Sequence, residues 1–181
     1  MKHYDVPGHL HFLTFSTNQR LQLLTNDILR KILAQRINES LEEHSFQLSA
    51  FVFMPEHVHM LVWPQRETYS MGDFLHSVKH ASSLRIENYF RSINSSLIQK
   101  LTVNERPGTT CFRFWQEGGG FDRNAWSEKY LRSTLDYIHK NPVKRRLVKS
   151  PDRWRWSSWH AYNTPERPPD PEFPRVNVLQ I

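Results

Sequence analysis

The run FVFMPEHVHMLVW (51–63) places His57 and His59 one residue apart inside an otherwise apolar segment. Side chains alternate across a strand, so the two imidazoles point to one face and Val58 to the other. Neutral imidazole is a common metal ligand, and two on one face can converge on a single ion. The same spacing also describes two polar residues on a solvent-facing strand edge. Two histidines do not complete a metal site, so a third donor has to come from elsewhere. The segment DYIHKNPVKRRLV (136–148) offers one. Tyr137 and Asn141 lie four apart and share a helix face, projecting a phenol and an amide oxygen together. Each also has a plain structural use, Tyr137 as an amphipathic boundary residue and Asn141 as a cap before proline.

A basic surround follows the pair. Lys140, Lys144, Arg145, Arg146 and Lys149 lead into Arg153 and Arg155, which alternate with Trp154 and Trp156 ahead of Trp159. Cations interleaved with aromatic rings suit phosphate contact and base stacking, while RWRWSSW serves equally as a belt that anchors a core. Across the chain 24 Lys and Arg stand against 18 Asp and Glu, a formal charge of +6. The excess sits in residues 100–160, with 13 basic and 6 acidic residues, whereas residues 1–99 carry 9 of each. An anionic partner met by the second half is the expectation. The single cysteine, Cys111, excludes an intrachain disulfide framework and a multi-cysteine zinc site. With no secretory leader and no apolar run of spanning length, a soluble cytoplasmic protein is expected.

These side chains need elements to position them. HLHFLTFST (9–17) alternates and reads as a first strand. Asn26 can cap a helix over about 26–44, with Ile28, Leu29, Ile32, Leu33, Ile37 and Leu41 at helical spacing. FQLSAFVF (46–53) and HVHMLVW (57–63) read as a hairpin broken by Met54-Pro55-Glu56. A second helix spans about 70–91, with Met71, Phe74, Leu75, Val78 and Leu84 inward and Lys79, Arg85 and Arg91 outward. Residues 92–110 read as a loop, 110–116 as a fourth strand, Gly118 to Gly120 as a hinge, and about 125–141 as a third helix ending before Pro142. The order β-α-β-β-α-β predicts an α+β, ferredoxin-like (RRM-like) antiparallel sheet with both helices on one face. The main domain is expected over 1–164. Beyond it, residues 165–181 hold five prolines within ten residues and read as an extended tail with no core of its own.

MPEHVHMLV, FWQ followed by FDR, and YIHKNPVKRRLV followed by DRWRWSS together resemble the HUH single-strand DNA transposases of bacterial insertion sequences. Within them the likeness is to the tyrosine transposases associated with repetitive extragenic palindromes (REP), and it covers roughly residues 4–162. Carried over residue by residue, the resemblance makes His57 and His59 the HUH pair, Tyr137 the nucleophile and Asn141 the third metal ligand. The implied cofactor is a divalent ion, Mg2+ or Mn2+. The implied reaction is attack of the tyrosine on a phosphodiester of single-stranded DNA beside a hairpin, leaving a 5′-phosphotyrosine and a free 3′-hydroxyl. A phenol ordinarily ionises near pH 10, so forming a phenolate at pH 7 costs about 4 kcal/mol, which nearby cationic charge must partly recover.

Lys140, Lys144, Arg145, Arg146, Arg153 and Arg155 are the DNA-contact candidates. Some mobile relatives trade the tyrosine helix within a homodimer, whereas palindrome-associated ones work as monomers, so either assembly fits. Three positions depart from the family pattern: Glu56 stands where asparagine is common, Arg146 replaces a glycine, and the triple glycine is long. A domesticated hairpin-DNA or RNA binder, or a phosphodiesterase using water, remain the competing readings.

Overall fold

A computed structural model describes residues 4–181. Strand β1 (Leu10–Ser16) is followed by helix α1 (Asp27–His44), strands β2 (Phe46–Phe53) and β3 (His57–Pro64), and helix α2 (Met71–Ser92). Then come the short helix α3 (Leu97–Leu101), strands β4 (Thr102–Arg106), β5 (Thr109–Phe112) and β6 (Phe121–Ala125), helix α4 (Glu128–Lys144) and the short α5 (Trp159–Asn163). The main sheet is antiparallel in the order β2-β3-β1-β6. With β6 as the fourth strand, this is the ferredoxin-like arrangement expected.

Local chemistry explains the boundaries. The Asn26 side chain accepts from the Ile28 amide at 2.8 Å and starts α1, while Ser45, at φ 57°, ends it in the left-handed region. Ser70 accepts from the Asp73 amide at 3.1 Å and starts α2. Both helices pack on one sheet face. Leu13 and Phe15 from β1 and Val58, Met60 and Val62 from β3 meet Leu33, Ile37, Phe74 and Val78 there. The opposite face carries a second cluster, in which Leu131, Leu135 and Ile138 of α4 cover Leu10, Ala50, Val52 and Leu61. Inward positions differ in detail from the periodicity: Ile28 and Leu84 are exposed, and Ile86 and Phe90 fill the α2 face instead.

The fourth strand is not 110–116. Thr109–Phe112 pairs with Thr102–Arg106 in a separate hairpin inside the segment expected to be a loop, and the sheet is completed by Phe121–Ala125 along β1. Phe114 and Trp115 are buried without belonging to a strand, Trp115 donating its indole N–H to Ser82 Oγ at 2.9 Å. Aromatic density therefore marked a core anchor rather than a strand. The FDRNA edge strand is polar because its inward Asp122 pairs with buried His11 at 2.8 Å. Gly120 is not a free hinge: at φ +73° a Cβ would lie 2.3 Å from the Thr14 carbonyl oxygen, so only glycine permits this approach of the chain to β1. Lys79 is turned back onto the same loop, donating to the Gln116 carbonyl at 2.8 Å and to that of Gly118.

Helix α4 runs past the expected stop, with Pro142 inside its last turn. It closes by two bonds, Leu147 N–H to Pro142 O at 2.9 Å and Arg146 N–H to Val143 O at 2.9 Å, with Arg146 at φ 57°. This is the Schellman closure, whose left-handed position glycine ordinarily fills. The tail docks along the body. Phe173 packs on Trp156 and Phe51 at ring distances of 5.0 and 5.8 Å, and the Asn177 amide donates to Leu48 O at 2.8 Å. Among the described residues no helix is long and apolar enough to cross a membrane.

Candidate active site

Strand alternation puts Val58 and Met60 into the α1/α2 core and turns His57 and His59 to the α4 face, opposite Ser16 and Thr14 of β1. Packing of Leu131, Leu135 and Ile138 onto that face lowers the C-terminal turns of α4 over the histidines. The result is a convergence within one chain. His57 Nε2 lies 3.1 Å from His59 Nε2, and the Asn141 amide nitrogen lies 3.2 Å from the same His59 atom. The His59 ring packs against the Tyr137 ring at a centroid distance of 5.2 Å. His57, His59 and Asn141 are about 5% exposed, whereas Tyr137 is 39% exposed, so the three potential ligands are enclosed and the phenol is reachable.

The outer nitrogens of the imidazoles are held. His57 Nδ1 donates to Glu56 Oε1 at 3.0 Å, and His59 Nδ1 is bonded to Thr14 Oγ1 at 2.7 Å. Such bonds fix the ring orientation and leave the inner nitrogens to a ligand. Burial pushes both histidines below the ordinary imidazole range. For His57 the Glu56 carboxylate partly opposes the effect; for His59, where the charges of His57 and Arg20 add to burial, the value falls to about 3. Both rings are therefore neutral and ligand-competent at pH 7.

Glu56 is itself buried, and burial raises its carboxyl, yet the charges of His57 and Arg145 and the hydrogen bonds from His57 and Arg20 together hold it below the usual carboxylate range. Arg20 and Arg145 both donate to its Oε1, at 3.1 and 3.0 Å.

The donor set fits a divalent cation. Asn141 Oδ1 is buried with no hydrogen-bond partner, and the same amide group lies against the Nε2 atom of His59, itself 3.1 Å from that of His57. Among the described residues no group of three His, Cys, Asp or Glu side chains is placed to hold a metal ion, and the Asn141 amide is the further polar group beside the two histidines. Lys144 Nζ sits 5.0 Å from the Tyr137 ring centroid, and Phe12 backs that ring at 5.7 Å.

A family model described as "Transposase IS200 like" matches residues 7–145, from just before β1 through the end of α4. The chain belongs to the IS200-like transposase family. Two relatives match most of this transposase's length. One, a REP-associated tyrosine transposase of Escherichia coli K12, is 28% identical over 162 residues, covering 88% of this chain and 81% of its own. The other, a Haemophilus influenzae protein provisionally given the same name, is 23% identical over 158 residues, covering 84% and 81%. A REP-associated tyrosine transposase solved bound to a REP hairpin shares the fold at a TM-score of 0.69 and 21% identity, covering 100% of this chain and 93% of its own.

The basic candidates divide. Lys144 and Arg145 border the site, Lys140 pairs with Asp136 at 2.7 Å on the exposed side of α4, and Arg146 closes the helix. Arg153 is open to solvent beside Asp152, and Arg155 pairs with Asp170 and Glu172 of the tail at 3.0 and 2.6 Å. The tryptophans between them are core anchors: Trp156 is buried and donates to Asp27 at 2.7 Å, and Trp154 donates to Phe53 O at 3.0 Å. Sequence reasoning missed Arg20, Thr14 and Phe12. For Thr14 and Phe12 the signal is their strand register opposite β3, and for Arg20 it is the folded contact with Glu56.

Proposed function

We propose that this transposase cleaves and rejoins single-stranded DNA beside a hairpin, with Tyr137 as nucleophile. The observation that carries the reading is the packing of the half-exposed Tyr137 ring on His59 of the same chain, over an enclosed His57–His59–Asn141 donor set. The Tyr137 oxygen attacks phosphorus, the bond from phosphorus to the 3′-oxygen breaks, and a 5′-phosphotyrosine forms. The proton lost by the phenol is balanced by one gained at the leaving 3′-hydroxyl. A 3′-hydroxyl from another end reverses the step, and the phosphodiester energy is conserved without nucleotide hydrolysis.

A Mg2+ or Mn2+ ion held by His57, His59 and Asn141 supplies Lewis-acid polarisation of the phosphate when bound. Lys144 Nζ, 5.0 Å from the phenol ring centroid, places a cation beside the nucleophile where an incoming phosphate can meet it. The half-exposed guanidiniums of Arg20 and Arg145, tethered by Glu56, face solvent where phosphate oxygens would arrive. Because one chain supplies every group, a monomer suffices for cleavage in this reading. The hairpin partner is proposed from the REP hairpin bound by the structural neighbour, together with the basic excess of residues 100–160.

The test uses end-labelled hairpin DNA with single-stranded flanks on a denaturing gel. Wild type with Mn2+ gives a nicked strand and an SDS-resistant shifted band. Tyr137→Phe loses both while binding the hairpin with unchanged affinity. A Tyr137→Phe protein that still cuts means that water is the nucleophile, and the proposal fails.

A further inference from the structure

We infer that the cleft between β6 and α4 is a stacking site for one unpaired nucleobase of the DNA strand, next to the attacking tyrosine. The inference rests on the strand-cleavage reading and deepens it by assigning a subsite. The cleft, of about 280 Å3, is walled by Phe12, Phe121, Tyr130 and Tyr137, with Arg123 at its rim. Strand alternation produces this arrangement. Asp122 turns inward to His11, so Phe121 and Arg123 both project to the α4 side.

Three features separate this cleft from an ordinary core seam. Phe121 and Tyr137 are 44% and 39% exposed, so aromatic faces remain open at its mouth. The Arg123 guanidinium lies 4.8 Å from the Tyr130 ring centroid and, among the described residues, makes no ion pair with a carboxylate. Phe12 braces both walls edge-on, at 5.9 Å from Phe121 and 5.7 Å from Tyr137, fixing the ring planes before any ligand arrives. Open aromatic faces with a weakly hydrated cation beside them are what a base and its phosphate require, and stacking tolerates any base because every base has a π-face.

Phe121 also forms part of a second cleft, of about 370 Å3, bordered by Thr14, Lys79 and the Gly118 to Gly120 loop. It thus stands as a partition on a path along the sheet edge, with one wall of the path being the nucleophile itself. A second copy pairing with the β6 edge is the other conceivable occupant. Arg123 argues against it, because such pairing would bury an uncompensated cation among aromatic rings.

The test uses a hairpin oligonucleotide selected for binding to this protein from a randomised pool, with 2-aminopurine placed at successive flank positions. On binding full-length Tyr137→Phe protein, one flank position is expected to lose emission several-fold. The loss should disappear in Tyr137→Phe/Phe121→Ala and persist in Tyr137→Phe/Phe121→Trp. With Tyr137 restored, Phe121→Ala should lower kcat/KM by about 10- to 100-fold, the scale of one stacked base. An abasic nucleotide at that position should cost wild type the same factor and cost Phe121→Ala nothing further.

Multiplying losses, or cleavage with no quenched position, overturn the subsite while strand cleavage stands. A dimer in light scattering that Phe121→Ala dissociates, without quenching, makes the cleft a protein interface and also overturns it. Absence of any hairpin binding overturns both readings.

Discussion

Glu56→Ala is the perturbation that most directly separates an active-site carboxylate from a turn residue. Glu56 is 4% exposed, and its Oε1 accepts from His57 Nδ1, Arg145 and Arg20 at 3.0, 3.0 and 3.1 Å. Removal strands the buried His57 N–H, at about 1–3 kcal/mol. The two guanidiniums are half exposed, so their ion pairs add only about 0.5 kcal/mol each after screening. The fold should therefore lose about 2–4 kcal/mol, seen as a fall in Tm of roughly 10 °C. A second effect would act on the proposed metal site. Without the acceptor at Nδ1 the His57 ring is free to change tautomer and orientation, and such outer partners are typically worth about 10–100-fold in metal affinity. Mn2+ titrations of hairpin cleavage, run below the variant's melting range, should show the activation midpoint displaced by that factor with the plateau largely retained. Unchanged Tm and unchanged Mn2+ dependence would refute the reasoning and return Glu56 to the role of a turn residue.

Arg146→Gly relieves the left-handed position that closes α4, so stability should rise by about 0.5–1 kcal/mol in urea denaturation while hairpin affinity falls. A decrease in stability would mean that the Arg146 side chain holds the turn. Gly120→Ala sets a Cβ 2.3 Å from the Thr14 carbonyl oxygen and should cost about 2–4 kcal/mol and most of the cleavage, because Thr14 also holds His59. Gly118→Ala, at φ +83° but with nothing within 4 Å, should cost only about 1 kcal/mol; equal losses at the two positions would refute the close-approach argument. His139 is buried on Ser158 Oγ and pushed down to about 4 by desolvation. The unfolded chain takes up this proton near pH 6.5 and the folded chain only near 4, so stability is lost as pH falls between them. His139 alone should remove about 2 kcal/mol between pH 7 and 5, and the wild-type pH slope should exceed that of His139→Gln by this amount.

Much of this fold is legible in the sequence, and what is not has physical causes. Alternation and capping placed β1, α1, β2, β3 and α2 within a residue or two, because each carries a strong apolar period or a side-chain cap. The fourth strand was misplaced because burial and strand geometry came apart. Phe114 and Trp115 are buried from an irregular segment, while FDRNA pairs with β1 with little apolar content. Spacing alone could put His57 with His59 and Tyr137 with Asn141, but bringing the pairs together requires the α4 contact on the sheet, set by Leu131, Leu135 and Ile138. The basic residues were the least legible. Arg155 is engaged by tail carboxylates distant in sequence, and Arg20 reaches the site only through the folded position of Glu56.

The central claim, that Tyr137 forms a covalent bond to DNA, is tested most directly by mass spectrometry of the trapped adduct after nuclease and trypsin digestion. The peptide 133–140, STLDYIHK, is expected to carry a 5′-linked nucleotide on its tyrosine, in a Mn2+-dependent manner and with a matching free 3′-hydroxyl on the released strand. A nucleotide on any other residue, or a cleaved strand ending in a free 5′-phosphate with peptide 133–140 unmodified, would contradict the account.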